Sequence, residues 1–333
     1  PLNGPIVNFG FSLKRIFSWF LFEFNLILYA LTRKKSERPD VVIASSLSLL
    51  TFVSAFLLKR MFGCKLIVEV RDIWPATVIE IGKVKEKSLF AVFLKKVELF
   101  GYKKADGIVA TMPRFDLYLS ENFNISKKVI CIPQGYDETW VSDSDVIQVP
   151  FDKNYFNVCH SGTVGKANNV EHLLKAASLI ENENIKIYIL GDGPLKEDLI
   201  RKYDKLSNVV FLKAIPKNDV IRFISNADLL VNMWGDYKMY RFGISPYKWV
   251  DYMLAGVPIL VSYNGYRSII NEANCGFFIE ANNPKLLADK IVEISKMNRE
   301  ILKEIGENGK TYATINFNYT SLGKQFLNFI NEC

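Results

Sequence analysis

The sequence predicts an α/β protein built from two doubly wound domains, and three observations support this fold class. Short β-branched runs that end in small or acidic residues recur between helical stretches, which is typical of buried parallel strands. The composition turns polar over residues 141–152, and the strand pattern then starts again. The length of 333 residues suits about two domains. Two Rossmann-like sheets facing across a cleft are expected, with ligands at the carboxyl ends of the strands.

The first part of the chain, residues 1–145, is predicted to form one of these domains. Its four predicted strands are residues 40–45, 65–70, 106–111 and 129–132. A doubly wound domain normally opens with a strand and a ligand-binding turn, whereas this chain begins PLNGPIVNFG and enters an apolar helix directly. The first domain is therefore expected to be truncated, without its first strands.

The second domain is predicted over residues 146–312. Its predicted strands are residues 155–160, 185–190, 209–212, 228–232 and 258–261. Residues 313–333 are expected to form a helix that packs back on the first domain.

The apolar segment of residues 16–31 is flanked by clusters of lysine and arginine. It is shorter than the roughly 20 residues that span a bilayer, and Glu23 and Asn25 interrupt it. A secretory signal is disfavoured because the segment runs into basic residues without a small-residue cleavage site. Two interpretations remain open: a core helix of the domain, or a helix that lies in the membrane interface with its cations on anionic lipid.

The net charge of +7 is confined to the first part of the chain. Residues 1–140 hold 20 Lys and Arg against 13 Asp and Glu, whereas residues 141–333 hold 22 of each. This asymmetry favours an anionic partner, and an anionic membrane surface is expected because no nucleic-acid motif is present. Five scattered cysteines without a C-x-x-C pair indicate a reducing cytoplasm, and two histidines argue against a histidine-rich metal site.

Two glycine-containing turns follow predicted strands of the second domain. The first is Gly162-Thr163-Val164-Gly165-Lys166, where glycines allow close approach of a ligand and the lysine adds a cation for phosphate. The second is Gly191-Asp192-Gly193-Pro194. Taken alone, each turn is explained equally well as an ordinary tight turn.

The stretch from Gly243 to Pro258, GISPYKWVDYMLAGVP, predicts a helix with an unusual first turn. Ser245 before Pro246 is a natural helix cap, and Lys248 and Asp251 share one helix face. A lysine in the first turn opposes the helix dipole, which is better tolerated when an anion lies there.

In this order, the motifs resemble the donor-binding domain of family-4 retaining glycosyltransferases of the GT-B fold. In the first domain, VRDIWP at residues 70–75 resembles the R-D-[IL]-W-P signature of the branch that builds bacterial O-antigen, capsule and colanic acid, including fucosyl and N-acetylfucosaminyl transferases. The resemblance extends from about Pro39 to Ile330 and covers nearly the whole chain.

The resemblance implies donor-binding roles for residues of each motif. The donor diphosphate would be held by Gly162, Thr163, Gly165, Lys166 and Lys248. The turn of Gly191, Asp192 and Gly193 would line the same site. Asp251 would bind the donor ribose, at the second glutamate of the family's Glu-seven-residue-Glu motif. The nucleotide base would meet the backbone of Ala214, Ile215 and Pro216.

The chain departs from the family pattern at two positions. Gly243 stands in place of the first glutamate of the motif, and the backbone groups of Ile244 and Ser245 would take over part of its role. Gly243 and Pro246 would line the donor site beside them. Arg71 stands where relatives often have a histidine, and Arg71 and Asp72 would contact the sugar or the acceptor. The residues implied in catalysis are Arg71, Asp72, Lys166 and Lys248.

The implied reaction moves a sugar from a nucleotide diphosphate donor to a lipid-linked saccharide. A UDP-sugar of the N-acetylfucosamine type is favoured, and the enzyme would be peripheral on the inner face of a bacterial membrane. No metal ion or other cofactor is expected, and Asp143-Ser144-Asp145 is interpreted as linker instead of a D-x-D metal motif. The alternatives are a non-catalytic, membrane-attached subunit that binds a nucleotide sugar and needs a partner chain, and a GT-B-fold nucleotide-sugar epimerase.

Overall fold

The computed structural model describes residues 13–33, 37–46, 48–82, 84–141 and 149–333. The chain divides into two compact units, which differ from the predicted domains in their bounds. The N-terminal unit comprises Pro1–Pro133 with Lys324–Cys333, and the C-terminal unit is Gln134–Gly323. The predicted linker motif Asp143-Ser144-Asp145 lies outside the described residues, as does the PLNGPIVNFG segment.

The N-terminal unit contains a parallel sheet of four strands in the order β1-β2-β3-β4. The strands are β1 Val41–Ser45, β2 Lys65–Val70, β3 Gly107–Ala110 and β4 Val129–Cys131. All four were predicted, because their short runs rich in β-branched residues are typical of strands in a parallel sheet.

Five helices accompany this sheet among the described residues. They are α1 Leu13–Leu31, α2 Leu50–Phe62, α3 Ala76–Glu80, α4 Leu89–Lys104 and α5 Phe115–Phe123. The hydroxyl of Ser88 accepts a hydrogen bond from the Ala91 N–H at 3.2 Å and caps α4. None of the described helices combines the length and the apolar character that crossing a bilayer requires.

The C-terminal unit contains a parallel sheet of six strands in the order β10-β9-β8-β5-β6-β7. The strands are β5 Phe156–Ser161, β6 Ile185–Leu190, β7 Val209–Leu212, β8 Leu229–Met233, β9 Ile259–Ser262 and β10 Gly276–Ile279. Only β10 was not predicted. The chain builds the sheet outward from β5 through β6 and β7, then returns to β8 on the other side. The strand order therefore reverses between β5 and β8, which is where doubly wound sheets bind ligands.

Among the described residues, eight α-helices belong wholly or partly to the C-terminal unit. They are α6 Val170–Leu179, α7 Lys196–Lys202, α8 Lys217–Ile224, α9 Tyr247–Leu254, α10 Ile269–Glu272, α11 Pro284–Ser295, α12 Arg299–Asn316 and α13 Tyr319–Glu332. Apolar side chains are buried on both faces of the sheet, including Trp249 and Ile224 in one core and Leu173 and Ile291 in the other.

Helix α13 passes from one unit into the other at residues 323 and 324. Its last residues pack within the N-terminal unit, where Phe329 joins Ile67 and Val109 in one apolar cluster. The ammonium group of Lys65 donates to the carbonyl of Ile330 at 3.0 Å. The end of the chain thus completes the core of the N-terminal unit.

Candidate functional site

Two glycine turns meet at the carboxyl ends of β5 and β6. Gly162 has a φ of +134° and Gly191 a φ of +137°, which side chains rarely allow. A Cβ atom on Gly191 would lie 2.1 Å from the carbonyl oxygen of Gly162. The Gly162 N–H donates to the Leu190 carbonyl at 2.9 Å, and the Val164 N–H donates to the Asp192 carbonyl at 2.9 Å. The close packing of the two turns therefore requires glycine at positions 162 and 191.

Helix α9 is fixed against the strands at the reversal point by two buried side chains. The indole N–H of Trp249 donates to the amide oxygen of Asn232 on β8 at 2.8 Å. The hydroxyl oxygen of Tyr252 accepts from the backbone N–H of Ser161 on β5 at 2.9 Å. These contacts place the first turn of α9 beside the Gly162 turn.

Lys248 projects from that first turn onto the glycine turn. A Cβ atom on Gly162 would lie 2.9 Å from its Nζ. Its ammonium group donates to the side-chain oxygen of Asn168 at 2.7 Å, and the Asn168 amide donates to the Thr163 carbonyl at 2.6 Å. Burial lowers the pKa of Lys248 to about 8, against the charge of Asp251, which raises it. A partly buried cation at a glycine turn is suited to bind an anionic group.

Ser245 does not cap α9, contrary to the sequence prediction. The helix begins at Tyr247, and Pro246 occupies the N-cap without a side-chain hydrogen bond. The Ser245 hydroxyl oxygen instead accepts from the backbone N–H of Gln134 at 2.9 Å. Because the helix begins later than predicted, Ser245 lies outside capping range, while Lys248 still falls in the first turn.

The remaining residues of that stretch, Gly243 and Ile244, lie just before α9. Gly243 adopts a φ of +86° and its N–H donates to the Tyr240 carbonyl at 2.9 Å. No carboxylate occupies this position, as the sequence indicated. Any donor contact made here would come from backbone groups.

Asp251 pairs with a lysine that sequence reasoning did not identify. Both of its carboxylate oxygens accept from the ammonium group of Lys217, the first residue of α8, at 2.5 Å. Burial raises the pKa of Asp251, and the charges of Lys217 and Lys248 counteract the rise. The only sequence signal for Lys217 was its place directly after the predicted base-binding loop.

Asp192 ties two loops together. Its carboxylate accepts from the Ala214 N–H at 3.0 Å and from the ammonium group of Lys196 at 2.8 Å. Lys196 also donates to the carbonyls of Gly191 at 2.7 Å and Leu212 at 2.8 Å. These bonds position the loop of residues 213–216, which begins the predicted base-binding segment. A direct contact of Asp192 with the donor stays a prediction.

His160 is buried on β5, near the ammonium group of Lys248. Its Nδ1–H donates to the carbonyl of Val231 at 3.0 Å, so Nε2 carries the lone pair, and it has no partner among the described residues. Burial and the nearby charge of Lys248 lower the pKa of His160 to about 3. His160 is therefore neutral at physiological pH.

Three further predicted site residues, Lys166, Arg71 and Asp72, are exposed. Lys166 is exposed on a short 3₁₀ helix, Lys166–Asn168. Arg71 and Asp72 are exposed and follow β2 in the N-terminal unit, where the Arg71 N–H donates to the hydroxyl of Ser46 at 3.0 Å. Within the described residues, no group of His, Cys, Asp and Glu side chains is arranged to hold a metal ion.

Solved structures confirm the predicted GT-B-like fold. Sucrose-phosphate synthase from Thermosynechococcus elongatus is 15% identical, with a TM-score of 0.74 over 97% of this chain and 80% of that one. Anabaena HepE in complex with UDP is 14% identical, with a TM-score of 0.68 over 93% of this chain and 82% of HepE.

Sequence comparisons identify the family. A protein named probable glycosyltransferase WbjE from Pseudomonas aeruginosa is 26% identical over 86% of this chain and 72% of its own length. The uncharacterized glycosyltransferase MJ1069 from Methanocaldococcus jannaschii is 23% identical over 97% and 80%, respectively. The family described as Glycosyl transferases group 1 matches residues 142–312. This range includes the two glycine turns, Lys248 and Asp251. The chain belongs to the group 1 glycosyl transferases, and it is a glycosyltransferase.

Proposed function

We propose that this glycosyltransferase moves a sugar, with retention of configuration, from a UDP-sugar to a lipid-linked saccharide in bacterial surface polysaccharide synthesis. The observation that carries the donor half of the proposal is the partly buried ammonium group of Lys248 against the Gly162 turn. A uridine donor is supported by HepE, which has been solved with UDP and with UDP-glucose, and by the S. aureus protein TarM, solved with UDP. The R-D-I-W-P motif favours an N-acetylfucosamine-type sugar.

In the proposed reaction, the bond between the anomeric carbon and the β-phosphate oxygen breaks while an acceptor hydroxyl oxygen bonds to the same face of that carbon. The leaving diphosphate gains negative charge and receives the hydroxyl proton. Lys248, together with Lys166, would stabilise this charge by electrostatic attraction, without a metal ion. Neutral His160, with its lowered pKa, is not suited to act as the general base.

Donor binding tests the proposal directly. Isothermal titration with UDP should give saturable binding to the wild-type protein. Because a charged hydrogen bond to phosphate is lost, Lys248→Met should weaken binding about tenfold or more. Lys205→Met, at an exposed lysine of the same unit, should leave affinity unchanged. If UDP binds Lys248→Met as tightly as wild type, Lys248 does not contact the diphosphate.

The surface of α1 supports the membrane half of the proposal. Phe17, Phe20, Phe24, Leu28 and Leu31 recur at helical spacing and form one exposed stripe, with Phe17 65% and Phe24 59% exposed. Another face of the helix buries Glu23, whose carboxylate accepts from the hydroxyl of Thr51 at 2.8 Å. An apolar stripe that faces away from its own unit, beside an excess of positive charge, suits the interface of an anionic bilayer.

Vesicle flotation tests the membrane half. The wild-type protein should float with phosphatidylglycerol vesicles at low salt and less at high salt, because salt screens the attraction. Phe17→Ser/Phe24→Ser should lose most of this binding, whereas Ile315→Ser, at an exposed apolar residue of α12, should keep it. Wild-type protein that fails to float at low salt would rule out the interfacial helix.

A further inference from the structure

The ion pair between Lys217 and Asp251 joins two parts of the C-terminal unit that are 34 residues apart in sequence. The side chain of Asp251 is 10% exposed, whereas that of Lys217 is 45% exposed. The ammonium group of Lys217 therefore lies on the solvent side of the nearly buried Asp251 carboxylate.

The position of Lys217 in the chain relates this pair to the donor. Lys217 begins α8 immediately after Ala214, Ile215 and Pro216, the segment predicted to contact the base. The start of that segment is fixed by the bond from the Ala214 N–H to Asp192. Asp251 is the residue predicted to bind the ribose. One lysine thus bridges the predicted base contact and the predicted ribose contact.

We infer that Lys217 is a positioning residue for the donor ribose, which holds the Asp251 carboxylate in the orientation that accepts the 2′- and 3′-hydroxyl groups. This inference rests on the proposed function, because it requires a nucleotide donor. A carboxylate offers about four lone-pair sites, and the ammonium group uses one on each oxygen. Acceptor capacity for two ribose hydroxyls remains on the same carboxylate.

The charges around Asp251 agree with this role. Burial raises its pKa, and two cations oppose the rise: Lys217 from α8 and Lys248 from its own helix. The phenol of Tyr252, whose own pKa is raised by burial, is the neighbouring titratable group. Removing Lys217 takes away one of the two cations, so the carboxyl group gains a proton more readily and rotates without a fixed partner.

The test compares UDP with 2′-deoxy-UDP in isothermal titrations at pH 7.5 and 5.5. The wild-type protein should prefer UDP, because only UDP presents the 2′-hydroxyl to Asp251. In Lys217→Met, the ratio of the affinities for UDP and 2′-deoxy-UDP should fall about tenfold at pH 7.5, which removes most of the preference. The affinity of this variant for UDP should be lower still at pH 5.5. Lys217→Arg keeps the cation and should restore the preference.

The control is Arg222→Met, which removes another ion pair from α8, between Arg222 and Asp219, without touching Asp251. It should keep the preference for UDP. A Lys217→Met protein that keeps the wild-type preference, or that loses affinity for both nucleotides equally, overturns the positioning role of Lys217. Wild-type protein that binds neither nucleotide overturns the uridine donor itself, and this inference with it.

Discussion

Glu98 on α4 is a carboxyl group sealed inside the N-terminal unit, and its substitution gives a sharp prediction about stability. The side chain is fully buried, and one of its oxygens accepts from the hydroxyls of Tyr102 at 3.0 Å and Tyr118 at 2.8 Å. The other oxygen, Oε2, has no partner among the described residues. Burial raises the pKa of Glu98 from 4.5 to about 8, so the folded unit holds this side chain protonated at neutral pH.

The sign of the effect follows from proton binding. Between about pH 4.5 and 8 the folded state keeps a proton on Glu98 that the unfolded state has lost, so its contribution to stability is complete below pH 4.5 and declines as pH rises through this window. Each pH unit costs a factor of about ten in the folding equilibrium. Over the two units from pH 5.5 to 7.5, the loss amounts to about 3 kcal/mol.

Glu98→Gln should remove this pH dependence, because the amide oxygen still accepts from Tyr102 and Tyr118 but carries no titratable proton. Relative to wild type, the variant should therefore gain about 3 kcal/mol between pH 5.5 and 7.5. Hydrogen exchange of the α4 amides, corrected for the intrinsic effect of pH, measures the free energy of opening of this helix.

The matched control is Glu86→Gln, at a glutamate of the same unit whose side chain is 69% exposed and pairs with Lys95 at 3.2 Å. Such exposed pairs contribute little, so its difference from wild type should stay nearly constant with pH. A difference between Glu98→Gln and wild type that is equally flat would refute the argument that Glu98 is held protonated.

Three further substitutions test contacts in the C-terminal unit. Gly191→Ala places a Cβ atom 2.1 Å from the Gly162 carbonyl oxygen, at a positive φ, and should cost about 3 kcal/mol in thermal unfolding. The control Gly323→Ala has open space around it and should cost little, so equal melting temperatures of the two variants would contradict the packing of the turns. Lys196→Met removes the hydrogen bonds to three acceptors, on Gly191, Asp192 and Leu212. It should cost about 2 kcal/mol in urea unfolding and raise the dissociation constant of UDP; unchanged values would show that Lys196 does not fix the loops. Ser245→Ala should lower the free energy of unfolding by about 1 kcal/mol, because the bond from the Gln134 N–H is lost. Hydrogen exchange should show α9 as protected as in wild type, and fraying of α9 would show that Ser245 caps it.

In the described part of the chain, nine of the ten strands could be predicted from the sequence because strands of parallel sheets are nearly continuous apolar runs. Strand β10 was missed for a local reason. Its four residues, GFFI, begin with a glycine and carry no β-branched run, and their pairing with β9 depends on the absence of a side chain at Gly276, where a Cβ atom would lie 2.1 Å from the Ile259 carbonyl. Such a requirement comes from the partner strand and is not written in the segment itself.

The candidate site was predictable only in part, and the reason lies in sequence distance. Lys248 stood out because a lysine in a first helical turn is locally unfavourable. Asn168 and Lys217 carry no such local signal, since their partners lie 80 and 34 residues away. Ser245 was misread because the same Ser-Pro pair is compatible with two helix starts, and only the bond from Gln134 decides between them.

The division of α13 between the two units has a consequence for biosynthesis. A ribosome releases the strands of the N-terminal unit first, yet Phe329 and the carbonyl that receives Lys65 are made only after the whole C-terminal unit. The apolar patch around Ile67 and Val109 therefore stays uncovered until residues 324–333 have been made, although the C-terminal unit is free to fold in the meantime. The unit made first is the one completed last, so premature termination before Lys324 would leave a nascent chain with an open core and a target for chaperones.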